Sequence, residues 1–276
     1  MFLSIVIPVY NTPVKFLIEC LESLKYIPSF IKSEIIIVND GSTEKEILDY
    51  LSRLDKKNFL IKHEQNGGAG FARNRGIEVS KGQYIFSLDA DDVLNDDFEI
   101  FINYLQHNPE VDVLYGDFLY FGDINKVQKN HKFDKLTLWF ESNIPACSFF
   151  KKSAWKKVGG YDESLKTFED YDFWIQCAVK GCEFKYLPYF TFKYRKINDG
   201  ISLYQKTKTL HKKYFKLIRS KIPLTEIKLS DVFKYIKISY SRKRTQNKNI
   251  LIASVGAFFR LLKVLKKIII RIINIK

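Results

Sequence analysis

The residues of this 276-residue chain best suited to chemistry are Asp89 and Asp91, two carboxylates separated by a single residue. They follow Tyr84–Leu88, whose apolar character is typical of a buried strand. Such a pair suits a hard divalent cation, because Mg²⁺ and Mn²⁺ prefer oxygen ligands and commonly share them with substrate phosphates. A solvated acidic turn, in which Asp92 or Asn95 caps the next helix, is the alternative interpretation.

Two further polar segments also follow strand-like sequence. In Asn39-Asp40-Gly41-Ser42, the carboxylate can accept hydrogen bonds from a base or ribose, and an ordinary turn with a helix cap is the alternative. In the glycine-rich segment 67–74, Arg73 can reach a diphosphate or ribose. That segment lacks the spacing of Walker A and dinucleotide-binding loops, so neither segment identifies a ligand by itself.

Apolar strand-like segments alternate with helix-like segments in the first half of the chain. The strand-like segments are Leu3–Val9, Glu34–Val38, Phe59–His63 and Tyr84–Leu88. This alternation predicts an α/β fold with a mostly parallel, Rossmann-like central sheet flanked by helices. Ligands of such sheets bind beyond the carboxyl ends of the strands. Tyr10, Asp40 and Asp89 follow such ends, so we expect them at one edge of the sheet.

The charge of the chain is concentrated at its C-terminal end. Residues 1–200 carry 25 Lys and Arg against 29 Asp and Glu, whereas residues 201–276 carry 20 against 2. A basic charge that favours nucleic acid is therefore confined to the tail. The four cysteines have no CxxC spacing, which predicts neither a zinc site nor a disulfide framework and favours a reducing compartment.

Several motifs occur in an order that resembles the family 2 inverting glycosyltransferases of bacterial cell-surface polysaccharide synthesis. They are Pro8-Val9-Tyr10-Asn11, Asn39-Asp40-Gly41-Ser42, Ala72-Arg73-Asn74-Arg75-Gly76, Asp89-Ala90-Asp91-Asp92, Gly159-Gly160-Tyr161-Asp162-Glu163, Glu169-Asp170-Tyr171-Asp172-Phe173-Trp174 and Tyr194-Arg195. The resemblance covers about residues 2–202. It implies a GT-A fold, a nucleotide-diphosphate sugar donor and Mn²⁺ or Mg²⁺ as cofactor.

The resemblance also implies roles for individual residues of the nucleotide-sugar site. Pro8, Val9, Tyr10 and Asn11 are expected to surround the base, and Asp40 to form a hydrogen bond with it. The other residues of the nucleotide-sugar site are Arg73, Asn74, Asp89, Ala90 and Asp91. Asp89 is expected near the ribose and Asp91 on the metal, with Asp89 as a second candidate metal ligand. Arg73 and Asn74 have an alternative, structural role, in which they hold the loop to Asp89 or its strand.

Asp170 matches the catalytic base of the family. A sugar hydroxyl is a poor nucleophile, so a carboxylate must accept its proton as the bond between C1 and the diphosphate breaks. Glu169 and Asp172 are neighbouring candidates for this role. Aromatic neighbours disfavour a solvated helix face here, and we expect Trp174 to be a core residue rather than a sugar-stacking one.

One position departs from the family pattern. Many relatives carry a histidine two positions after Tyr-Arg that completes the metal shell, and this chain has Ile197 there. Asn198, Asp199 or water are the candidate replacements. We therefore expect a looser metal site, in which Asp91 is the firmest protein ligand and the diphosphate of the donor supplies much of the coordination.

The composition and the resemblance together divide the chain in two. Residues 1–202 are predicted as the catalytic domain, with a nucleotide-binding half (1–116) and an acceptor-side half (117–202), and residues 203–276 as a Lys-rich helical extension. Within the extension, residues 260–276 form an amphipathic helix with one cationic and one apolar face. Such a helix suits the surface of an anionic bilayer, and packing on the catalytic domain is the alternative.

The function predicted from these observations is transfer of a hexose or N-acetylhexosamine from a UDP-sugar to a saccharide acceptor, free or lipid-linked, with inversion, for surface glycan synthesis. The predicted location is the cytoplasm, peripherally on the inner face of the cell membrane. A nucleotidyltransferase is one alternative. It predicts a Gly-rich basic loop after the first strand, whereas this chain has Pro8-Val9-Tyr10-Asn11 there. A nucleic-acid-binding protein is the other, and we do not expect it because it leaves the acidic motifs unexplained.

Overall fold

The computed structural model of the protein describes residues 1–57, 59–197 and 207–222. The amphipathic helix predicted over residues 260–276 lies outside these residues, as do Asn198 and Asp199. Within the described part of the chain, no helix combines the length and the apolar character needed to cross a bilayer.

Four parallel strands form the first half of the sheet, in the order β3-β2-β1-β4. They are β1 (Leu3–Val9), β2 (Ser33–Asp40), β3 (Phe59–Glu64) and β4 (Tyr84–Ser87). All four coincide with segments that the sequence predicts as strands. Strands β1, β2 and β4 contain the apolar runs that a strand covered on both faces requires, whereas β3 lies at the edge of the sheet and is only partly buried. Their parallel pairing brings the residues that follow β1, β2 and β4 to one edge of the sheet.

The second half of the sheet is mixed. It contains β5 (Val93–Leu94), β6 (Val113–Gly122), β7 (Lys126–Gln128), β8 (Phe149–Lys151) and β9 (Phe184–Lys196). Strand β8 lies antiparallel between β4 and β6, β6 and β9 are parallel, and β5 and β7 pair antiparallel with β9 and β6. Strand β6 pairs with β9 along its whole length, from Val113 to Gly122.

Helices cover both faces of the sheet and create two apolar cores. One core contains residues of α1 (Val14–Glu22), α2 (Lys45–Arg53) and α4 (Phe98–His107); the other contains residues of α3 (Ala69–Val79), α5 (Lys135–Phe140), α6 (Lys152–Val158), α7 (Glu169–Val179) and α8 (Lys208–Ser220). Side chains of β1 alternate between them, with Ile5 and Ile7 in the first and Val6 in the second. The result is the three-layer α/β arrangement predicted from the sequence.

Helix α3 lies unusually close to the sheet at Gly76. A Cβ atom at this position would lie 2.5 Å from Cγ1 of Val6 and 3.0 Å from Cγ2 of Val38. Only glycine permits this approach, since real Cβ contacts are longer. The close packing brings Arg73, one turn earlier on α3, to the carboxyl end of β4.

Candidate active site

The three aspartates after β4 differ in their surroundings. The backbone N–H of Asp92 donates to the carbonyl of Asp89 at 3.0 Å, which closes a turn. Asp91 is exposed and Asp89 is partly exposed, whereas Asp92 is buried. Asp92 accepts hydrogen bonds from the backbone N–H of Arg195 at 2.8 Å and from the thiol of Cys147 at 3.7 Å. Asp92 therefore anchors the turn from inside and is not the solvated helix cap considered above, which leaves Asp89 and Asp91 for a ligand.

Arg195 holds the same turn from the opposite side. Its Nε donates to the backbone carbonyl of Asp91 at 2.7 Å, and one terminal nitrogen pairs with Glu19 at 2.6 Å. The guanidinium carbon lies 4.3 Å from the ring centroids of both Phe16 and Phe121. The sequence marks Tyr194-Arg195 as a motif but does not assign Arg195 to the site, because its partners are distant along the chain, 104 residues away for Asp91 and 176 for Glu19.

Arg73 joins the aspartate turn to the first turn of α7. The guanidinium is buried and donates to Oγ of Ser87 at 2.9 Å and to a carboxylate oxygen of Asp89 at 2.7 Å. A third nitrogen pairs with the carboxylate of Glu169. These contacts match the alternative, structural role of Arg73, in which it holds the loop to Asp89 and its strand. Each of its three side-chain nitrogens already has a partner in the protein, and a contact between Arg73 and a diphosphate remains a prediction.

Asn74 has a comparable environment. Its side-chain amide is buried, donates to the backbone carbonyl of Tyr161 at 2.9 Å and to the carboxylate of Glu163 at 2.8 Å. Its oxygen accepts from the backbone N–H of Tyr161 and from Nε1 of Trp155, each at 2.9 Å. These bonds tie α3 to the Gly159-Gly160 turn, and the nucleotide contact implied by the resemblance stays a prediction for this residue.

The residues after β1 and β2 form a connected polar edge. Both carboxylate oxygens of Asp40 accept backbone N–H groups, from Gly67 and Gly68, at 2.8 Å each. The side-chain oxygen of Asn11 accepts from the backbone N–H groups of Thr43 and Glu44 at 2.8 and 3.2 Å. Asn11 therefore holds the loop that immediately precedes α2.

Exposure separates the remaining residues assigned to the nucleotide-sugar site. The ring of Tyr10 is 52% exposed and is free to stack on a base. Pro8 is half-buried, whereas the side chains of Val9 and Ala90 are 0% and 4% exposed. A ligand contact at these last two residues would consequently use backbone atoms.

The three acidic residues at the start of α7 occupy different environments. Asp172 is buried and pairs with Nζ of Lys221 at 2.6 Å, while Glu169 is buried against Arg73. Asp170 is only half-buried, and its one hydrogen bond in the described residues is from the backbone N–H of Tyr171 at 2.8 Å. Burial raises the pKa of Asp170 to about 7, the charge of Glu169 adds to the rise, and Arg73 opposes it.

A carboxyl whose pKa lies near neutral pH is suited to accept a proton. Of the three acidic candidates, Asp170 alone is partly exposed and has no ion pair in the described part of the chain. On the same helix Trp174 is fully buried within the aromatic core, as predicted.

The candidate cation ligands are Asp91 and Asp89, and their donor chemistry fits a hard divalent cation. Desolvation by the surrounding turn and the charge of Asp89 raise the pKa of Asp91 to about 6, although part of the side chain is exposed. Oxygens of Asp89 and Asp92 also lie within 4.8 Å of the sulfur of Cys147. Burial raises the pKa of this thiol well above its usual range. It donates to Asp92 as a neutral group and is a poor ligand for Mg²⁺ or Mn²⁺.

A protein-family profile described as Glycosyl transferase family 2 matches residues 4–167. The uncharacterized glycosyltransferase MJ1057 of Methanocaldococcus jannaschii is 34% identical over 204 residues, which cover 70% of each chain. The minor teichoic acid biosynthesis protein GgaB of Bacillus subtilis is 30% identical over 74% of this chain, which corresponds to 24% of GgaB.

Among solved structures, S. aureus TarS 1–349 in complex with UDP-GlcNAc superposes with a TM-score of 0.62 at 16% identity. The match covers 97% of this chain and 92% of that one. It extends through most of the sheet and its helices, so the two chains share a fold.

Proposed function

The chain belongs to glycosyl transferase family 2 and has the GT-A fold that its sequence predicts; on this premise we propose that it transfers a hexose or N-acetylhexosamine from a UDP-sugar to a saccharide acceptor with inversion. The UDP-GlcNAc complex of TarS supports a UDP-sugar donor. The teichoic acid role in the name of GgaB supports surface glycan synthesis, with a free or lipid-linked acceptor.

The observation that carries this proposal is the position of Asp170. Asp170 directly follows Glu169, whose carboxylate pairs with Arg73, and Arg73 in turn pairs with Asp89, so an ion-paired chain links the residue beside the proposed base to the proposed donor site. A transferase needs this proximity, because the proton acceptor must lie beside the carbon that the donor presents.

The proposed reaction is a single displacement. The acceptor hydroxyl oxygen attacks C1 of the sugar, the bond between C1 and the diphosphate oxygen breaks, and the hydroxyl proton passes to Asp170. The products are the glycoside with inverted configuration, UDP, and protonated Asp170, which then returns its proton to solvent. Glu169 and Arg73 fix the first turn of α7 during these steps.

We propose that Asp91, with Asp89, holds Mn²⁺ or Mg²⁺ together with the donor diphosphate. When bound, the cation stabilises the charge of the departing diphosphate. Around the nucleotide, the proposed contacts are Pro8, Val9, Tyr10 and Asn11 at the base with Asp40, and Arg73, Asn74 and Ala90 beside the diphosphate turn.

A panel of nucleotide sugars tests the donor class. Purified protein with Mn²⁺ is incubated with UDP-, GDP-, CMP- and dTDP-sugars, and nucleotide release is followed with and without oligosaccharide acceptors. We expect release of UDP only, with Asp170→Asn as the inactive control. Release of GDP or dTDP instead would contradict the proposed donor, and the anomeric coupling constant of the product would reveal retention.

We also propose that the enzyme acts in the cytoplasm at the inner face of the membrane, with the basic extension on anionic lipid. The support is the excess of positive charge beyond residue 200. Full-length protein should sediment with anionic vesicles, and the triple variant Lys263→Glu, Lys267→Glu, Arg271→Glu should not. A matched triple variant at Lys129, Lys132 and Lys135 is the control, and equal sedimentation of both variants would exclude the extension as the anchor.

A further inference from the structure

Helix α8 packs against the start of α7, the helix that carries Asp170. Its contact residues recur at helical spacing, His211, Tyr214, Phe215 and Ile218, so they form one face of the helix. Tyr214 and Ile218 are buried in the same apolar core as α7. The helix lies outside residues 1–202, where the sequence places the catalytic domain.

Aromatic contacts connect α8 to the residues on either side of the acidic pair. The ring of Phe215 lies 4.4 Å from that of Phe168 and 5.5 Å from that of Tyr171, measured between centroids. His211 lies 4.8 Å from Phe168 in an edge-to-face arrangement. Phe168 immediately precedes Glu169, and Tyr171 immediately follows Asp170.

Polar contacts connect the same two helices. Nζ of Lys221, at the end of α8, lies 2.6 Å from Asp172 and 3.1 Å from Asp162. The hydroxyl of Tyr171 and Nε of Arg219 both donate to the backbone carbonyl of Trp139, at 2.6 and 3.0 Å. Residues 168, 171 and 172 therefore all contact α8, whereas Glu169 contacts Arg73.

The backbone at Phe168 requires this support. Its φ angle is +63°, in the left-handed region that non-glycine residues rarely adopt. Its carbonyl nonetheless accepts the first helical hydrogen bond of α7, from the N–H of Asp172 at 2.9 Å. The backbone conformation of Phe168 sets the direction of α7 and therefore the position of Asp170. The ring of Phe215 packs against the ring of Phe168 and supports this conformation.

We propose that α8 is a positioning element for the catalytic base, with Phe215 as its principal positioning residue. The inference rests on the transferase function proposed above and on Asp170 as its base. It gives α8, which lies beyond the predicted catalytic domain, a part in catalysis. Phe215 acts through Phe168 and Tyr171 and has no contact with substrate.

The test is Phe215→Ala in the full chain, with Leu217→Ala as matched control because Leu217 is 43% exposed on the other face of α8. We expect kcat of Phe215→Ala to fall on the order of 10²-fold, since a displacement of about 1 Å at a catalytic group has that effect. The KM for the donor and the affinity for UDP with Mn²⁺ should stay unchanged, and Phe215→Leu should restore most of the rate. The acidic limb of the kcat profile should move in Phe215→Ala, because the surroundings of Asp170 change.

Several outcomes would overturn the proposal. One is a kcat equal to that of Leu217→Ala, and another is a parallel loss of donor affinity, which indicates general unfolding. If Phe215→Ala does not fold, Lys221→Met, which removes the contact with Asp172, takes its place under the same criteria.

A second measurement separates this proposal from the proposed function. Hydrogen exchange of the peptide containing residues 168–172 should accelerate in Phe215→Ala, while peptides from β1 and β2 should exchange as in the unaltered chain. If the unaltered protein transfers no sugar but this exchange pattern holds, the proposed function fails and the coupling between α8 and α7 stands. Unchanged exchange at residues 168–172 refutes the coupling itself.

Discussion

Replacing Arg73 with methionine tests the electrostatic centre of the site. Methionine keeps most of the length of the side chain but removes the charge that pairs with Asp89 and Glu169. Because Glu169 is buried, its carboxylate would lose its compensating charge. Breaking one partner of a buried ion pair costs about 3–5 kcal/mol. At roughly 2–4 °C per kcal/mol for a domain of this class, the midpoint of thermal unfolding should fall by about 6–20 °C.

Arg75→Met is the matched control on the same helix. Arg75 pairs with Glu78 and Glu163 but is partly exposed, so its loss should cost about 0–1 kcal/mol. Urea unfolding without metal or donor, followed by circular dichroism and fluorescence, gives the free energy of unfolding for each variant. Adding Glu169→Gln to Arg73→Met should recover part of the loss, because the unpaired buried charge is gone. Equal destabilisation by Arg73→Met and Arg75→Met would refute the reasoning.

The remaining predictions concern catalysis and metal binding. Asp170→Asn should lower kcat by about 10²-fold or more and leave calorimetric UDP binding intact, and near-normal turnover would move the base to another residue. In the unaltered enzyme, with saturating donor and metal, kcat should fall about tenfold per pH unit below pH 7, because Asp170, whose pKa is raised to about 7, accepts a proton only when ionised; a rate that stays level down to pH 5 would contradict this. Asp91→Ala should abolish the Mn²⁺-dependent part of UDP binding, whereas Asp96→Ala, at an exposed acid just after β5, should not; equal Mn²⁺ dependence of the two variants in calorimetry would remove Asp91 from the metal site.

The part of the fold that the sequence determines is the part controlled by local pattern. Three of the parallel strands, β1, β2 and β4, are visible because they lie inside the sheet and contain continuous apolar residues, whereas β3 lies at the sheet edge and is marked only by the short apolar run Phe59–Ile61. Asp40, at the end of β2, and Asp89, just after β4, lie at one edge of the sheet as expected, because both strands pair in parallel with β1. The mixed half of the sheet was not predicted, because the course of β6 and β9 depends on pairing between strands about seventy residues apart.

The residue pattern by itself does not distinguish the three acidic residues of α7, although the family resemblance favours Asp170. Successive helical residues point about 100° apart, so the pattern shows that their directions differ but not which direction meets which neighbour. Contact with Lys221 buries Asp172, and contact with Arg73 engages Glu169. Asp170 remains half-buried with a raised pKa, and this distinction arises only from packing with helices α3 and α8.

The aspartate turn shows the same division. Its residue types and its place after a strand follow from the sequence, and these predict a site for a cation and a nucleotide sugar. The inward orientation of Asp92, its bonds to Cys147 and Arg195, and the stacking of Arg195 between two rings join segments 55 and 103 residues apart. No local pattern encodes such contacts, because they form only when the chain has folded and burial has selected which polar groups must pair.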